Sequence, residues 1–225
     1  MGGKFRIAKE ILKIILSSRE DGQYYVEPFC GGCNVIDKVT GPRIANDIHE
    51  YLIDMWKKVV EENWVPPTYV SEEEYRAVKY NKDNYDKAYV GYVGFNSYGG
   101  RWFEGYARNK STTIDYWDTQ SRVLVKQAPL LKGVEFNNVS YDNLIIPNNS
   151  IVYCDPPYEG TKKYKDRFDS DKFWDWARNM SSKHTVFVSE YKAPSDFECV
   201  WEKELKSNLK IGKAKLTVEK LWKKK

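Results

Sequence analysis

SIVYCDPPYEGTKKY, residues 150–164, joins a short apolar run to a rigid corner made of an acid, two prolines and a tyrosine. The apolar run predicts a buried β-strand. Each proline fixes its own φ, lacks an N–H and restricts the residue before it, so the corner is stiff. It presents the Asp155 carboxylate and the Pro156 carbonyl as neighbouring acceptors, with the Tyr158 ring close by. This set fits a planar base that bears an exocyclic amino group, although a simple strand-terminating turn has a similar composition.

Short apolar segments and amphipathic helices alternate on both sides of this corner. Strands are predicted at YYVEPF (24–29), RIAND (43–47), VEFNNV (134–139) and HTVFVSE (184–190). Helical spacing of apolar residues occurs in residues 7–15, 49–62 and 171–180. The alternation predicts an α/β fold with a mostly parallel sheet. Near the end, FECVWEKEL (197–205) and KLTVEKLWK (215–223) alternate as an antiparallel strand pair does.

Residues 63–127 interrupt this alternation. They contain a capped helix start at Ser71 with Glu74, and a helical pattern at 115–127 that leads back to the sheet. Between these lies GYVGFNSYGGRWFEGYARN (91–109), which we interpret as too glycine-rich for a core element and too aromatic for a plain linker. We therefore predict a main domain of residues 1–62 and 128–225, with an inserted region at 63–127.

Charge and cysteine content narrow the functional classes. The net charge is +4, but residues 206–225 contain eight lysines and one acid, Glu219. Such a basic end suits a polyanionic partner, or is a solvated terminus.

The cysteines and histidines offer no zinc site. There are four cysteines, with a single Cys-x-x-Cys at Cys30 and Cys33, and two histidines; a redox pair is the alternative. Free thiols indicate a reducing compartment, and no apolar stretch is long enough for a membrane span.

Two more predicted strand ends carry residues suited to a ligand. In EPFCGGCN (27–34), Gly31 and Gly32 permit a tight turn and a close backbone approach at the start of a following helix. Asp47 ends the next strand, where an acid can accept hydrogen bonds from both ribose hydroxyls. A purely structural turn and a helix N-cap are the respective alternatives. The dinucleotide glycine pattern and the Walker lysine pattern are both missing.

Taken in order, GGK (2–4), EPFCGG (27–32), ND (46–47) and DPPY (155–158) resemble the Dam-type, D12 class of DNA adenine-N6 methyltransferases of bacteria and bacteriophages. The similarity continues through EFNNVSY (135–141), EGTKKY (159–164), FWDW (173–176) and TVFVSEY (185–191), so it covers nearly the whole chain. It implies a Rossmann-like, S-adenosylmethionine-dependent methyltransferase sheet, with residues 63–127 as a mainly helical target-recognition region.

The resemblance also implies roles for individual residues. The catalytic set is Asp155, Pro156, Pro157 and Tyr158. The residues expected to bind S-adenosylmethionine are Lys4, Glu27, Pro28, Phe29, Gly31, Gly32, Asp47, Ile48, Ser140, Tyr141 and Asp155. Ser140 stands where many relatives have Asp, which is a departure from the family pattern.

The implied partner is double-stranded DNA, whose target adenine is flipped out of the duplex and restacked on Tyr158. Base-reading or gap-filling side chains are expected in the insertion, and phosphate contacts from lysines. The expected DNA-binding residues are Tyr98, Arg101, Trp102, Arg108, Lys162 and Lys163. No metal and no membrane are expected, a monomer is compatible with the sequence, and the expected location is the cytoplasm of a bacterium or phage-infected host.

Three alternatives remain at this point. The same fold acts on RNA adenine or on cytosine N4 in related enzymes, although Asp155 favours adenine because the cytosine enzymes usually have Ser or Thr there. A nucleic-acid-binding relative with little turnover is a second alternative. A nicotinamide oxidoreductase is disfavoured by the missing dinucleotide glycines.

Overall fold

The computed structural model describes residues 4–97, 100–107, 115–158, 168–207 and 215–225, and it contains a seven-stranded sheet. The strands are β1 (Tyr25–Glu27), β2 (Arg43–Asn46), β3 (Val134–Asn137), β4 (Ile151–Cys154), β5 (Thr185–Ser189), β6 (Phe197–Ser207) and β7 (Lys215–Lys224). The helices are α1 (Ala8–Ile15), α2 (Glu50–Glu61), α3 (Glu72–Tyr80), α4 (Lys87–Phe95), α5 (Tyr116–Gln127) and α6 (Ser170–Met180).

The order of the strands indicates a ligand site at the carboxyl ends of the central strands. The order is β3-β2-β1-β4-β5-β7-β6; β1 to β5 are parallel, and β7 runs antiparallel to both β5 and β6. From β1 the chain builds outward through β2 and β3, and from β4 it builds the other way. Open α/β sheets bind ligands beyond the carboxyl ends of the strands at this reversal. The predicted Rossmann-like sheet with an antiparallel C-terminal strand is confirmed.

Two hydrophobic layers cover the sheet, because successive side chains of each strand point to opposite faces. Tyr25, Ala45 and Tyr153 belong to the layer that contains α1 and α2. Their neighbours Val26 and Ile44 belong to the other layer, together with α6. Strands β1, β2 and β4 are buried on both faces, as expected of parallel strands between helices.

The inserted region shares its core with the sheet. Apolar side chains of α3, α4 and α5 belong to the same cluster as those of α1 and α2. The structure corrects one expectation here, since the first glycines of 91–109 lie inside the buried helix α4. A Cβ on Gly91 would lie 2.0 Å from the Tyr51 carbonyl oxygen, and one on Gly94 would lie 2.3 Å from the Trp102 ring. The glycines allow close packing of α4, which is a core element.

Two further expectations are corrected. The glycine turn is followed by a short 3₁₀ segment, Ile36–Lys38, and not by an α-helix that starts after Asn34. Most of the described part of the lysine-rich end is strand β7, so it is not simply a solvated terminus. Within the described ranges, no helix is both long enough and apolar enough to cross a bilayer.

Candidate active site

One side chain joins the loops that follow β1, β2 and β3. Asn46 is fully buried at the end of β2. Its Nδ2 donates to the carbonyl oxygens of Pro28 and Val139, both at 3.0 Å, and its Oδ1 accepts from the Val139 N–H at 3.1 Å. Because buried polar atoms are costly when unpaired, this network fixes three loops relative to one another. Asn46 belongs to the ND motif (46–47), but sequence analysis gave it no role; the signal for one was a polar residue at the end of an apolar strand.

The glycine turn after β1 is anchored from the protein side and open beside Gly31. The Gly31 and Gly32 carbonyl oxygens accept from the side chains of Trp56 at 3.0 Å and Gln127 at 3.1 Å. Gly31 has a φ of 48°, and a Cβ built on it meets no atom within 4 Å. The turn therefore leaves room for a ligand against its backbone.

Asp47 lies beside this turn and is held by backbone donors. Its Oδ2 accepts from the Gly31 N–H at 3.1 Å, and its Oδ1 accepts from the His49 N–H at 3.0 Å. Burial raises the pKa of Asp47, and the two N–H donors act in the opposite direction. The N-cap alternative is wrong, because the N-cap position of α2 is His49. A carboxylate has about four lone-pair sites, so two acceptor positions remain for a ligand.

Asp155 follows β4 directly, and β4 is the hydrogen-bonded neighbour of β1. The Lys4 Nζ lies 3.0 Å from the Asp155 Oδ1 and 3.1 Å from the Glu219 Oε2. The Tyr158 hydroxyl donates to Glu219 at 3.0 Å and accepts a short hydrogen bond from Lys4. We call this set, Lys4, Asp155, Tyr158 and Glu219, the acid cluster.

The acid cluster is only partly closed to solvent. The exposed fractions of the Lys4, Asp155 and Glu219 side chains are 11%, 24% and 13%. Burial raises the pKa of Asp155, and the Lys4 ammonium opposes that shift. For Lys4, burial lowers the pKa, but Asp155 and Glu219 outweigh it, so its pKa is raised overall. Lys4 is therefore protonated near neutral pH.

The Tyr158 ring is half-buried at this corner. Burial raises the pKa of its hydroxyl. The Lys4 Nζ lies 4.5 Å from the centre of the Tyr158 ring, and the Tyr191 ring packs edge-on with a centroid distance of 4.6 Å. Pro156 is buried and Pro157 is half-buried in the same corner. Sequence analysis missed Glu219 and Tyr191 here, since neither belongs to the DPPY segment.

The other residues expected at the cofactor site lie in several different environments. Phe29 and Tyr141 pack against each other with a centroid distance of 5.2 Å. The Ser140 hydroxyl donates to Asp142, whose carboxylate also pairs with Lys172 at 2.6 Å.

Glu27 is buried and accepts from the Tyr25 hydroxyl at 2.9 Å, and burial raises its pKa. Ile48, next to Asp47, is 71% exposed. These residues all lie at the carboxyl ends of β1, β2 and β3, but their cofactor contacts stay predictions.

Of the residues expected to contact DNA, only two are described. Arg101 is exposed and pairs with Glu104 at 2.7 Å. Trp102 packs against His49, with a centroid distance of 4.2 Å, and stacks on Tyr51 at 5.4 Å. This packing gives Trp102 a structural role, and its role in DNA binding stays a prediction. Tyr98, Arg108, Lys162 and Lys163 lie outside the described residues.

Cysteines and histidines form no cluster suited to a metal in the described part of the chain. Cys30 and Cys33 are buried free thiols. The hydrogen bond that the Cys30 thiol donates to Cys33 raises the pKa of Cys30, and burial raises the pKa of Cys33. Neither thiol is therefore activated as a thiolate.

Solved structures with a similar arrangement are distant in sequence. Two structures of the rRNA methyltransferase AviRa from Streptomyces viridochromogenes align at 13% identity with TM-scores of 0.43 and 0.44. They cover 97% and 98% of this chain and 84% of AviRa. The candidate methyltransferase SMU.472, complexed with SAH, aligns at 13% identity and a TM-score of 0.39, covering 98% of this chain and 52% of that one. Similarities this distant carry no argument about substrate.

A family match comes from the N-terminal part of the sequence. It covers the segment with Lys4, the glycine turn and Asp47, and it ends before the Asp155 corner. Residues 1–99 match the family model of the D12 class N6 adenine-specific DNA methyltransferases, which confirms the family resemblance predicted from the motifs.

Proposed function

We propose that this protein transfers a methyl group from S-adenosylmethionine to the N6 amine of adenine in a specific double-stranded DNA sequence. The observation that carries the proposal is the position of the Asp155–Tyr158 corner. It follows β4, which pairs with β1 at the reversal of strand order, and the turn after β1 is hydrogen-bonded to Asp47. The D12 family match supports adenine N6 as the acceptor.

The residues of the β1 and β2 loops fit S-adenosylmethionine. The Asp47 carboxylate has acceptor positions left for ribose hydroxyls, and the space beside Gly31 lets a ligand lie against the turn. The exposed Ile48 side chain offers an apolar surface next to Asp47. When bound, S-adenosylmethionine supplies an electrophilic methyl group.

The Asp155 corner acts on the amine. An adenine amine is a poor nucleophile because its lone pair is delocalised into the ring. In the proposed mechanism, the Asp155 carboxylate and the Pro156 carbonyl accept its two hydrogens and draw the nitrogen toward tetrahedral geometry. The negative carboxylate stabilises the positive charge that develops on nitrogen, and it accepts the proton that nitrogen releases after the new N–C bond forms. Transfer would be direct: the N–C bond would form as the bond between the methyl carbon and the cofactor sulfur breaks, with the electron pair left on sulfur and no covalent enzyme intermediate.

The target base must leave the duplex to reach this corner. The Tyr158 ring supplies a stacking surface for the flipped adenine. Arg101, Lys162 and Lys163 are proposed to contact the groove and the phosphates, which makes binding strongly salt-dependent. The insertion, residues 63–127, is proposed to choose the target sequence.

The test is to incubate the protein with labelled S-adenosylmethionine and four matched substrates: duplex DNA, single-stranded DNA, duplex RNA and DNA without adenine. The nucleic acid is then digested and the labelled nucleoside identified. Label in N6-methyladenine from duplex DNA alone is the expected result. Label in N4-methylcytosine, label in RNA, or no label in any substrate would each overturn the proposal.

A further inference from the structure

We propose that Glu219 on β7 is a positioning residue, which holds Lys4 and the Tyr158 ring so that Asp155 can be released to the target amine. This inference rests on the proposed function, because it concerns how the acid cluster receives the flipped base. Glu219 touches neither of the groups that react in that mechanism, so it acts through its neighbours.

The topology of the sheet brings Glu219 to the site from a distant part of the chain. Strand β7 pairs with β5 in antiparallel register, with Leu221 opposite Ser189. Glu219 lies two residues before Leu221 on β7. In antiparallel register it is therefore level with the loop that follows β5, which contains Tyr191. The sheet therefore places the Glu219 carboxylate beside the DPPY corner, although Glu219 is not part of the DPPY segment.

Within the acid cluster, Glu219 is the shared acceptor. Its Oε2 accepts from the Tyr158 hydroxyl at 3.0 Å and lies 3.1 Å from the Lys4 Nζ. The Lys4 ammonium lies equally close to Asp155, at 3.0 Å. One ammonium is thus shared between two carboxylates, and both carboxylates are mostly shielded from water.

The proposed target competes for the same carboxylate. An amino group that donates to Asp155 shares the carboxylate's negative charge with Lys4, and the positive charge that develops on its nitrogen repels the Lys4 ammonium. When Lys4 gives up its hydrogen bond to Asp155, its charge still needs a partner, because an unpaired buried charge is strongly unfavourable. Glu219 supplies that partner without requiring Lys4 to leave the cluster. Without Glu219, the ammonium depends on Asp155 and competes with the base.

Glu219 also fixes the stacking surface. The hydrogen bond from the Tyr158 hydroxyl restrains the far end of the ring, and Tyr191 packs against it edge-on. A ring held at both places is already oriented for the base, which lowers the entropy lost when the base stacks. Loss of the Glu219 acceptor therefore affects the step that presents the base, in addition to the exchange at Asp155.

A change in pH response separates this role from a merely structural one. Besides Lys4 and Glu219, the ionisable groups that face Asp155 are Glu27, Tyr153, Cys154, Tyr158 and Tyr191. The acceptor form of Asp155 is the carboxylate, so the rate falls as pH drops through its pKa. The Glu219 charge contributes to raising that pKa. Neutralising Glu219 therefore moves the acidic limb of the rate profile to lower pH.

The experiment compares Glu219→Gln with Glu202→Gln as the matched control. Glu202 lies on the adjacent strand β6, where it pairs with Lys220 at 3.5 Å, so its substitution removes the same charge from the same hairpin. For Glu219→Gln we expect kcat to fall about tenfold or more, the size expected for one charge-assisted hydrogen bond. We also expect an acidic limb at lower pH and an unchanged KM for S-adenosylmethionine. Glu202→Gln should match the wild type in all three.

A second measurement does not depend on turnover. The pKa of Lys4 is followed by NMR of its ε-methylene group, assigned with Lys4→Met, and should fall in Glu219→Gln because the Glu219 charge raises it. An unchanged Lys4 pKa, or wild-type kcat with an unshifted acidic limb, overturns the inference. If the wild type methylates no DNA adenine, the proposed function fails, and the Lys4 titration still decides whether Glu219 organises the cluster.

Discussion

Two aspartates at the same edge of the sheet are held in different ways. Asp47 is bound by the backbone N–H groups of Gly31 and His49. Asp155 is bound by a side chain, the Lys4 ammonium, which it shares with Glu219. Burial raises the pKa of both carboxylates, so their surroundings differ in the kind of partner and not in the direction of the shift.

The kind of partner determines what each carboxylate can do. Backbone donors belong to loops that are themselves cross-linked by Asn46, so Asp47 is held in one position. A lysine side chain has several rotatable bonds and can exchange partners. The difference suggests a fixed acid for binding a cofactor and an exchangeable acid for receiving a reacting amine.

The largest effect is expected from Asp155→Asn, which tests the exchangeable acid. We expect kcat to fall by about 10²–10³-fold, because a neutral amide stabilises the charge developing on the amine far less than a carboxylate does. Single-turnover methylation of duplex DNA measures this.

Asp196→Asn is the control, since Asp196 is paired with Arg178 at 2.8 Å and lies outside both the acid cluster and the expected cofactor residues. An Asp155→Asn variant with wild-type kcat would remove Asp155 from the chemistry.

Asp47→Ala tests the fixed acid and should act on binding. We expect the Kd for S-adenosylmethionine to rise by about tenfold or more, with kcat at saturating cofactor within a few fold of wild type. The same change leaves the Gly31 and His49 N–H groups without their acceptor, so the free energy of unfolding should fall by about 1–3 kcal/mol. Calorimetric titration and thermal unfolding measure the two effects. A collapse of kcat at saturating cofactor would contradict the division between the two aspartates.

Gly31→Ala tests whether a ligand uses the space beside the glycine turn, and it should have the smallest effect of the three substitutions. Alanine at a φ of 48° costs about 1–2 kcal/mol of stability, although its Cβ meets no atom within 4 Å. Gly22→Ala is a matched control, since Gly22 also has a positive φ and open space around a built Cβ.

Both variants should lose similar stability, but only Gly31→Ala should weaken cofactor binding. Equal cofactor affinity in the two variants would show that the space beside Gly31 is not used.

Much of the fold was predictable because its signals are local. The strands β1 to β5 have apolar runs, and α1, α2 and α6 have helical apolar spacing, so burial and periodicity identify them. Helix α4 was missed because Gly91 and Gly94 weaken helix propensity, and only contact with Tyr51 and Trp102 explains them. The helix expected after Asn34 is the 3₁₀ segment Ile36–Lys38.

The sequence alone determined the stiff Asp155–Tyr158 corner, the glycine turn and the acid at position 47, because proline, glycine and strand-end residues act on the backbone around them. Tertiary structure decided how those parts are connected. Lys4 meets Tyr158 across 154 positions of sequence, and Tyr158 meets Glu219 across 61. Such contacts depend on strand order and on the antiparallel register of β7, which no local pattern of residues specifies.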